Sequence, residues 1–176
     1  MSGYVCLECG LEYDSITPSD AKVAIRSFPR RFRAALAAAM EDESDEGLVR
    51  RRPEPAVWSA LEYTMHVAEM LDAMAGIVRA MRIGADTAPH VWDPDERAAA
   101  GQYNEQDPVA ALDLLANGAE RFAAEVEQVA PEEWSATAAF PWGERDLLTM
   151  MRNGVHEGSH HLRDVERVLE RARAKR

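Results

Sequence analysis

Apolar positions recur at helical spacing in four long stretches, and most of them open on a recognisable cap. Thr17-Pro18-Ser19-Asp20 has the form of a helix start, with proline at the first helical position and an acid three residues after the cap. Ala21, Ile25, Phe28, Phe32, Ala35, Leu36 and Ala39 then form one stripe to about Met40, with Pro29 predicting a kink. A second stretch begins near Trp58, carries a Ser59–Glu62 capping pattern and runs through Met81 to a stop at Gly84. Its predicted inward stripe is Tyr63, Val67, Met70, Met74, Ile77 and Met81, with Asp72 and Arg79 on the polar side. Asp107-Pro108 starts a third, with Leu112, Leu115, Ala119, Phe122, Val126 and Val129 on one face and an end at Pro131. The last starts near Glu144 and runs into the tail; about 30 helical residues would span roughly 45 Å.

Between these stretches lie an exposed acidic-then-basic loop (41–55), a connection from Gly84 to Asp107 and a loop over 131–142. Asp93-Pro94-Asp95-Glu96 predicts a short extra helix to about Gln102, and a connection of that length is placed to cover a site. No segment reads as a strand. The expectation is an all-α four-helix bundle over residues 17–176, preceded by an irregular knuckle segment over 1–16.

At 176 residues the chain is long enough for one domain with a full core. Its net charge of −11 argues against non-specific nucleic-acid binding, which depends on neutralising phosphates. Arg30-Arg31-Phe32-Arg33, Arg50-Arg51-Arg52 and the basic tail read as solvated faces. The chain has no apolar run of membrane-spanning length and no charged-then-apolar leader, so no membrane partner is expected and the cytoplasm is the expected location.

Candidate chemistry is concentrated in the last helix. Three of the five histidines fall between His156 and His161. His156 and His160, four apart, share a face and can hold one metal ion between them, whereas His161 is turned about 100° away. Asp164 continues their ladder one turn on. A third ligand is needed, and His66 on the second helix is the best candidate, with Glu62 or Glu69 near enough to orient its ring. His90 sits in a loop and is less fixed. Cys6-x-x-Cys9-Gly10 is half of a zinc-ribbon-like knuckle: as the only two cysteines, they need ligands from elsewhere, or else form a redox dithiol or pack as a turn.

Three features together resemble the DinB superfamily of metal-dependent four-helix-bundle proteins. They are a histidine following Trp58-Ser59-Ala60-Leu61-Glu62, the His156-x-x-x-His160 pair within Val155–Val165, and Asp95-Glu96-Arg97 with Gln106-Asp107-Pro108. With the Cys6-x-x-Cys9-Gly10 knuckle, the likeness is to an actinobacterial branch. The resemblance implies zinc or nickel held by three histidines, here His66, His156 and His160, and commonly a homodimer. It further implies a thiol transferase or isomerase that uses mycothiol or a similar low-molecular-weight thiol on a small electrophile. A metal with open positions would lower the pKa of such a thiol and present a thiolate.

Two other classes stay open. A non-enzymatic metal-binding or sensor protein would close the site with a fourth ligand, from Glu62, Glu69 or Asp164. His156-Glu157-x-x-His160 also matches the zinc-peptidase pattern, in which Glu157 would be the general base. That pattern lacks its context here, since no strand aligns a peptide and only 16 residues follow His160. Glu157 is then a polar neighbour or an acid–base helper.

Overall fold

Each predicted cap is formed. In this computed structural model, which describes residues 4–42, 47–85, 87 and 93–174, Thr17 and Asp20 exchange capping-box hydrogen bonds at the start of α1 (Pro18–Met40). Ser59 and Glu62 do the same for α2 (Ala60–Arg82). Asp93 caps the short α3 (Pro94–Ala100) through Asp95 and Glu96 N–H, and Asp107 caps α4 (Pro108–Glu127) through Ala110 N–H. Each such cap stabilises its helix by about 1 kcal/mol. α1 is continuous through Pro29. The final helix, α5 (Leu147–Ala174), starts three residues later than the pattern suggests.

The delay has a cause that corrects the expectation of no strands. Thr137–Phe140 (β1) and Gly143–Asp146 (β2) pair antiparallel, with Thr137 opposite Asp146 and Phe140 opposite Gly143. Gly143, at φ 108°, supplies the backbone conformation that this tight turn requires. Phe140 is buried and stacks on Trp142, which anchors the hairpin. His90 and residues 43–46 of the acidic loop lie outside the described residues.

α2 packs against α4 and α5, and α1 packs against the same two, so the four long helices form a ring in the order α1–α4–α2–α5. The stripes of α1 and α4 are buried as predicted except for half-buried Ala35, with Phe28, Phe32, Leu115 and Phe122 fully inside. On α2 the buried face is wider and rotated: Leu71, Ala75 and Val78 are buried, while Tyr63, Met70 and Ile77 sit at the edge. A helix wedged between two neighbours buries two sides, and a single stripe misplaces its centre.

Small residues set the closest approaches. A Cβ on Gly118 would lie 2.9 Å from the Ala68 carbonyl oxygen, so α4 and α2 nearly touch there. On α5, a Cβ on Gly154 would lie 2.3 Å from the Phe122 ring, and one on Gly158 would lie 2.3 Å from the Phe28 ring. The two glycines are one turn apart and seat one aromatic ring each from α4 and α1. This seating fixes how α5 is rotated, and so which way its histidines point. Among the described residues, no helix is long and apolar enough to cross a membrane.

Candidate metal centre

With Gly154 and Gly158 turned to the core, the polar part of α5 carries two parallel ladders. At 100° per residue, His156 and His160 centre on one direction and Glu157 and His161 on another, about 100° round. Asp164 projects between them. The ladders meet different parts of the molecule.

The Glu157/His161 ladder faces α2. Glu157 Oε2 lies 3.6 Å from His66 Nε2 and 3.2 Å from His161 Nε2, so three potential ligand atoms converge at one point. His161 Nδ1 is 2.9 Å from Asp164 Oδ2, the geometry in which a carboxylate holds a ligand histidine by its far nitrogen. Burial alone would neutralise these groups, but their mutual contacts outweigh it. The Glu157 carboxyl is pushed up by desolvation, yet His161 and then His66 hold it well below the usual carboxylate range. Burial likewise lowers His161, while Asp164 and Glu157 raise it to about 9. Without an ion, this cluster is a compact imidazolium–carboxylate network.

Aromatic residues enclose it. The Trp58 ring packs edge-on to His66 at 5.3 Å, and Tyr63 stacks on His161 at 5.3 Å. The same two side chains, with Ala56 and Asp95, line an open cleft of about 230 Å³. Asp95 accepts a 2.7 Å hydrogen bond from the Trp58 indole and so fixes that wall. Below it, the Arg52 guanidinium grips both oxygens of buried Glu62, the residue that caps α2.

The His156/His160 ladder faces the other way, toward the N-terminal segment. Cys6 Sγ lies 3.5 Å from His160 Nδ1, and Cys6, Cys9, His156 and His160 each offer a ligand atom within 4.8 Å of the others. The set expected from the sequence therefore divides. His156 and His160 do stand together, but their companions are the two cysteines, whereas His66 stands with Glu157 and His161. The signal for the second ladder was present: Glu157 and His161 have the same four-residue spacing as the histidine pair. Spacing singled out the His156/His160 face alone, and it could not say what either face would meet.

A four-helix ring into which histidine and carboxylate side chains converge is a bundle with a candidate metal site, and its sequence places it in a family. The chain belongs to the DinB superfamily, whose model matches residues 29–165. Among curated proteins there is no sequence match. Of solved structures, the fold is similar to YfiT from Bacillus subtilis, described as a probable metal-dependent hydrolase with an unusual four-helix bundle topology. The TM-score is 0.74 at 15% identity, over 92% of this chain and 91% of that one. It is also similar to a mycothiol-dependent maleylpyruvate isomerase, with a TM-score of 0.67 at 14% identity, over 87% of this chain. This chain spans 62% of that isomerase's length.

Proposed function

We propose that the chain is a metal-dependent transferase or isomerase that brings a low-molecular-weight thiol, of the mycothiol type, to a small electrophile. Its divalent metal, zinc or nickel, would be held by His66, Glu157 and His161. The observation that carries this reading is the placement of Glu157 Oε2 between His66 Nε2 and His161 Nε2, beside the Trp58–Tyr63 cleft. Three ligands leave positions open for chemistry, as catalytic sites require. A divalent ion there supplies a Lewis acid that lowers the pKa of a thiol or water.

The chain's own residues do the rest. Asp164, 2.9 Å from His161 Nδ1, would keep the proton on that nitrogen, so that Nε2, on losing its own proton to metal binding, would present a lone pair there. Glu157 contributes negative charge and partly neutralises the ion. Trp58 and Tyr63 wall the cleft with apolar ring surface, which suits a small organic substrate and displaces water from around the reacting atoms. The two similar folds support either nucleophile: the isomerase is described as mycothiol-dependent and YfiT as a probable metal-dependent hydrolase.

This assignment replaces the three-histidine set inferred from spacing, and it removes support for a peptidase. In the His156-Glu157-x-x-His160 pattern the glutamate must serve an ion held by those two histidines, whereas here Glu157 faces His66 and His161. A hydrolytic role remains the second reading, favoured by the same open positions.

Metal analysis with thiol titration tests the proposal. One equivalent of metal should be lost in His66→Ala and in His161→Ala, and mycothiol should perturb the electronic spectrum of the nickel- or cobalt-loaded wild type. Unchanged metal content in both variants would overturn the site. A metal that binds but is blind to thiols would leave the hydrolytic reading in its place.

A further inference from the structure

The second ladder of α5 has no part in the centre just described, yet it is the more complete ligand set. The N-terminal segment builds a knuckle around it. Cys6 N–H donates to the Leu11 carbonyl at 3.0 Å, Gly10 N–H donates to the Cys6 carbonyl at 2.7 Å, and Val5 bridges to Glu12. Gly10 takes φ 72°, which closes the turn and lets both thiols point the same way. Cys6 and Cys9 are both buried and unoxidised, although the tip between them is not, since Leu7 is 97% exposed. The Cys6 thiol is drawn down to about 6, chiefly by the Cys9 backbone N–H and then by His156. Burial pushes Cys9 up.

Two details point to a missing bond. His156 Nε2 is buried with no hydrogen-bond partner, an unfavourable state for an imidazole nitrogen. It belongs to the same group of four potential ligands as the two thiols. His160 presents Nδ1 to Cys6 and turns Nε2 outward, 3.5 Å from Asp164 Oδ2 and 3.4 Å from Glu8 Oε2. Its far nitrogen thus has the carboxylate support typical of a metal-bound histidine.

We infer that Cys6, Cys9, His156 and His160 form a second, closed metal site of the zinc class, which ties the N-terminal knuckle to α5. Two thiolates and two imidazoles at mutual ligand distance make the tetrahedral S₂N₂ set that favours zinc over hard cations. Binding displaces one proton from each thiol, and the metal keeps its divalent state. With four protein ligands there is no open position, so the site is structural. Its role follows from how the described part of the knuckle is held: Tyr4, Val5 and Leu7 at its outer end are exposed. The segment is otherwise fastened at its base, where Leu11 and Ile16 pack on the core and Arg152 donates to Asp14 and Ile16. A Tyr13–His156 ring contact and a 3.5 Å hydrogen bond from Arg163 to the Glu8 carbonyl add to this. The bundle site and the knuckle site are separate, and Asp164 touches a histidine of each.

Cobalt substitution tests the inference independently of activity. Cobalt-loaded wild type should show a thiolate-to-cobalt charge-transfer band with the intense visible bands of a tetrahedral site. Cys6→Ser/Cys9→Ser should abolish the charge-transfer band and the knuckle's equivalent of metal, whereas His66→Ala should keep that band and that equivalent and lose only the bundle's. X-ray absorption of zinc-loaded His66→Ala guards against misfolding of the cysteine variant; it should show about two sulfurs near 2.3 Å and two nitrogens near 2.0 Å. A purely nitrogen–oxygen shell there, or a wild-type cobalt spectrum without charge transfer, would overturn the site. So would full thiol reactivity unaffected by adding or removing metal. Loss of the bundle metal alone, with these signatures intact, would count only against the proposed transferase.

Discussion

The two ladders of α5 sit side by side at the same four-residue spacing, and they differ in what they face. The Glu157/His161 ladder looks across the bundle to His66 on a helix fixed by core packing, and it is walled by Trp58 and Tyr63 beside an open cleft. The His156/His160 ladder looks outward to a short knuckle whose own apolar residues are mostly exposed. One ladder stands beside an open cleft; the other stands with two thiols, in a group of four potential donors. The lesson is that ligand chemistry alone does not separate a reactive from a structural centre. Under the two proposals, the rigidity of the partner element and the count of donors would.

Replacing a ligand gives the largest break in this comparison. His161→Ala should remove the bundle metal and all turnover that depends on it, while the knuckle's cobalt charge-transfer band persists. Metal stoichiometry and the spectrum, recorded on the same sample, check this; parallel loss of both would mean that the ladders are one site. Asp164→Asn comes next, because Asp164 lies 2.9 Å from His161 Nδ1 but 3.5 Å from His160 Nε2. Loss of a supporting carboxylate typically costs about 10–100-fold in metal affinity. The bundle site should take roughly that loss and the knuckle site less, as read from competitive chelator titrations. Equal losses would show that the carboxylate serves both alike.

Gly158→Ala should disturb both ladders together. The new Cβ would lie 2.3 Å from the Phe28 ring, so either the ring or the whole of α5 must shift. Overpacking of this kind costs about 1–3 kcal/mol, from which about 1 kcal/mol is regained through alanine's helix propensity. Chemical denaturation of the metal-free protein measures the difference, and metal affinities at the two sites should fall in step if α5 rotates.

Much of this architecture was legible in the chain. Thr17-Pro18, Ser59 with Glu62, Asp93-Pro94 and Asp107-Pro108 marked helix starts because capping is local chemistry, decided within four residues. The hairpin over 137–146 was not legible: Thr137-Ala138-Ala139-Phe140 buries only Phe140 well, and strands of four residues leave too short a pattern to read. At the site, spacing marks His66, His156 and His160 as candidate ligands, but it puts His161 off their face and gives Glu157 no ligand role. Their partners could not be assigned, because the seating of Phe28 and Phe122 on Gly158 and Gly154 sets the rotation of α5, and those contacts are far apart in sequence.

A smaller effect separates the α2 side from the knuckle side. Glu62 is buried, which raises its carboxyl, but the Arg52 guanidinium and the Ser59 N–H more than offset this and hold it below its ordinary value of 4.5. A lowered folded pKa means that the stabilisation is present above the unfolded value and is lost as pH falls through the folded one. In metal-free protein, Glu62→Gln should cost about 1–2 kcal/mol near neutrality, given that Arg52 is partly solvent-screened. The gap between variant and wild type should close as the pH falls below the ordinary carboxylate value and through the lowered folded one, as measured by urea unfolding at successively lower pH. A gap independent of pH would mean that packing, not charge, gives Glu62 its role at the start of α2.

The smallest effect is the control for the glycine argument. Gly76 sits on the exposed side of α2, and a Cβ there would meet nothing within 4 Å. Gly76→Ala therefore gains helix propensity with no clash and should stabilise the protein by about 0.5–1 kcal/mol. The same substitution at Gly158 has the same propensity gain but meets the Phe28 ring, so the two variants should move the midpoint of unfolding in opposite directions. If both stabilise, the Phe28 ring yields without cost and does not set the rotation of α5; the two ladders would then owe their directions to the ligands they hold. If both destabilise, α2 is not free on its outer face, and Gly76 marks a surface that another chain covers.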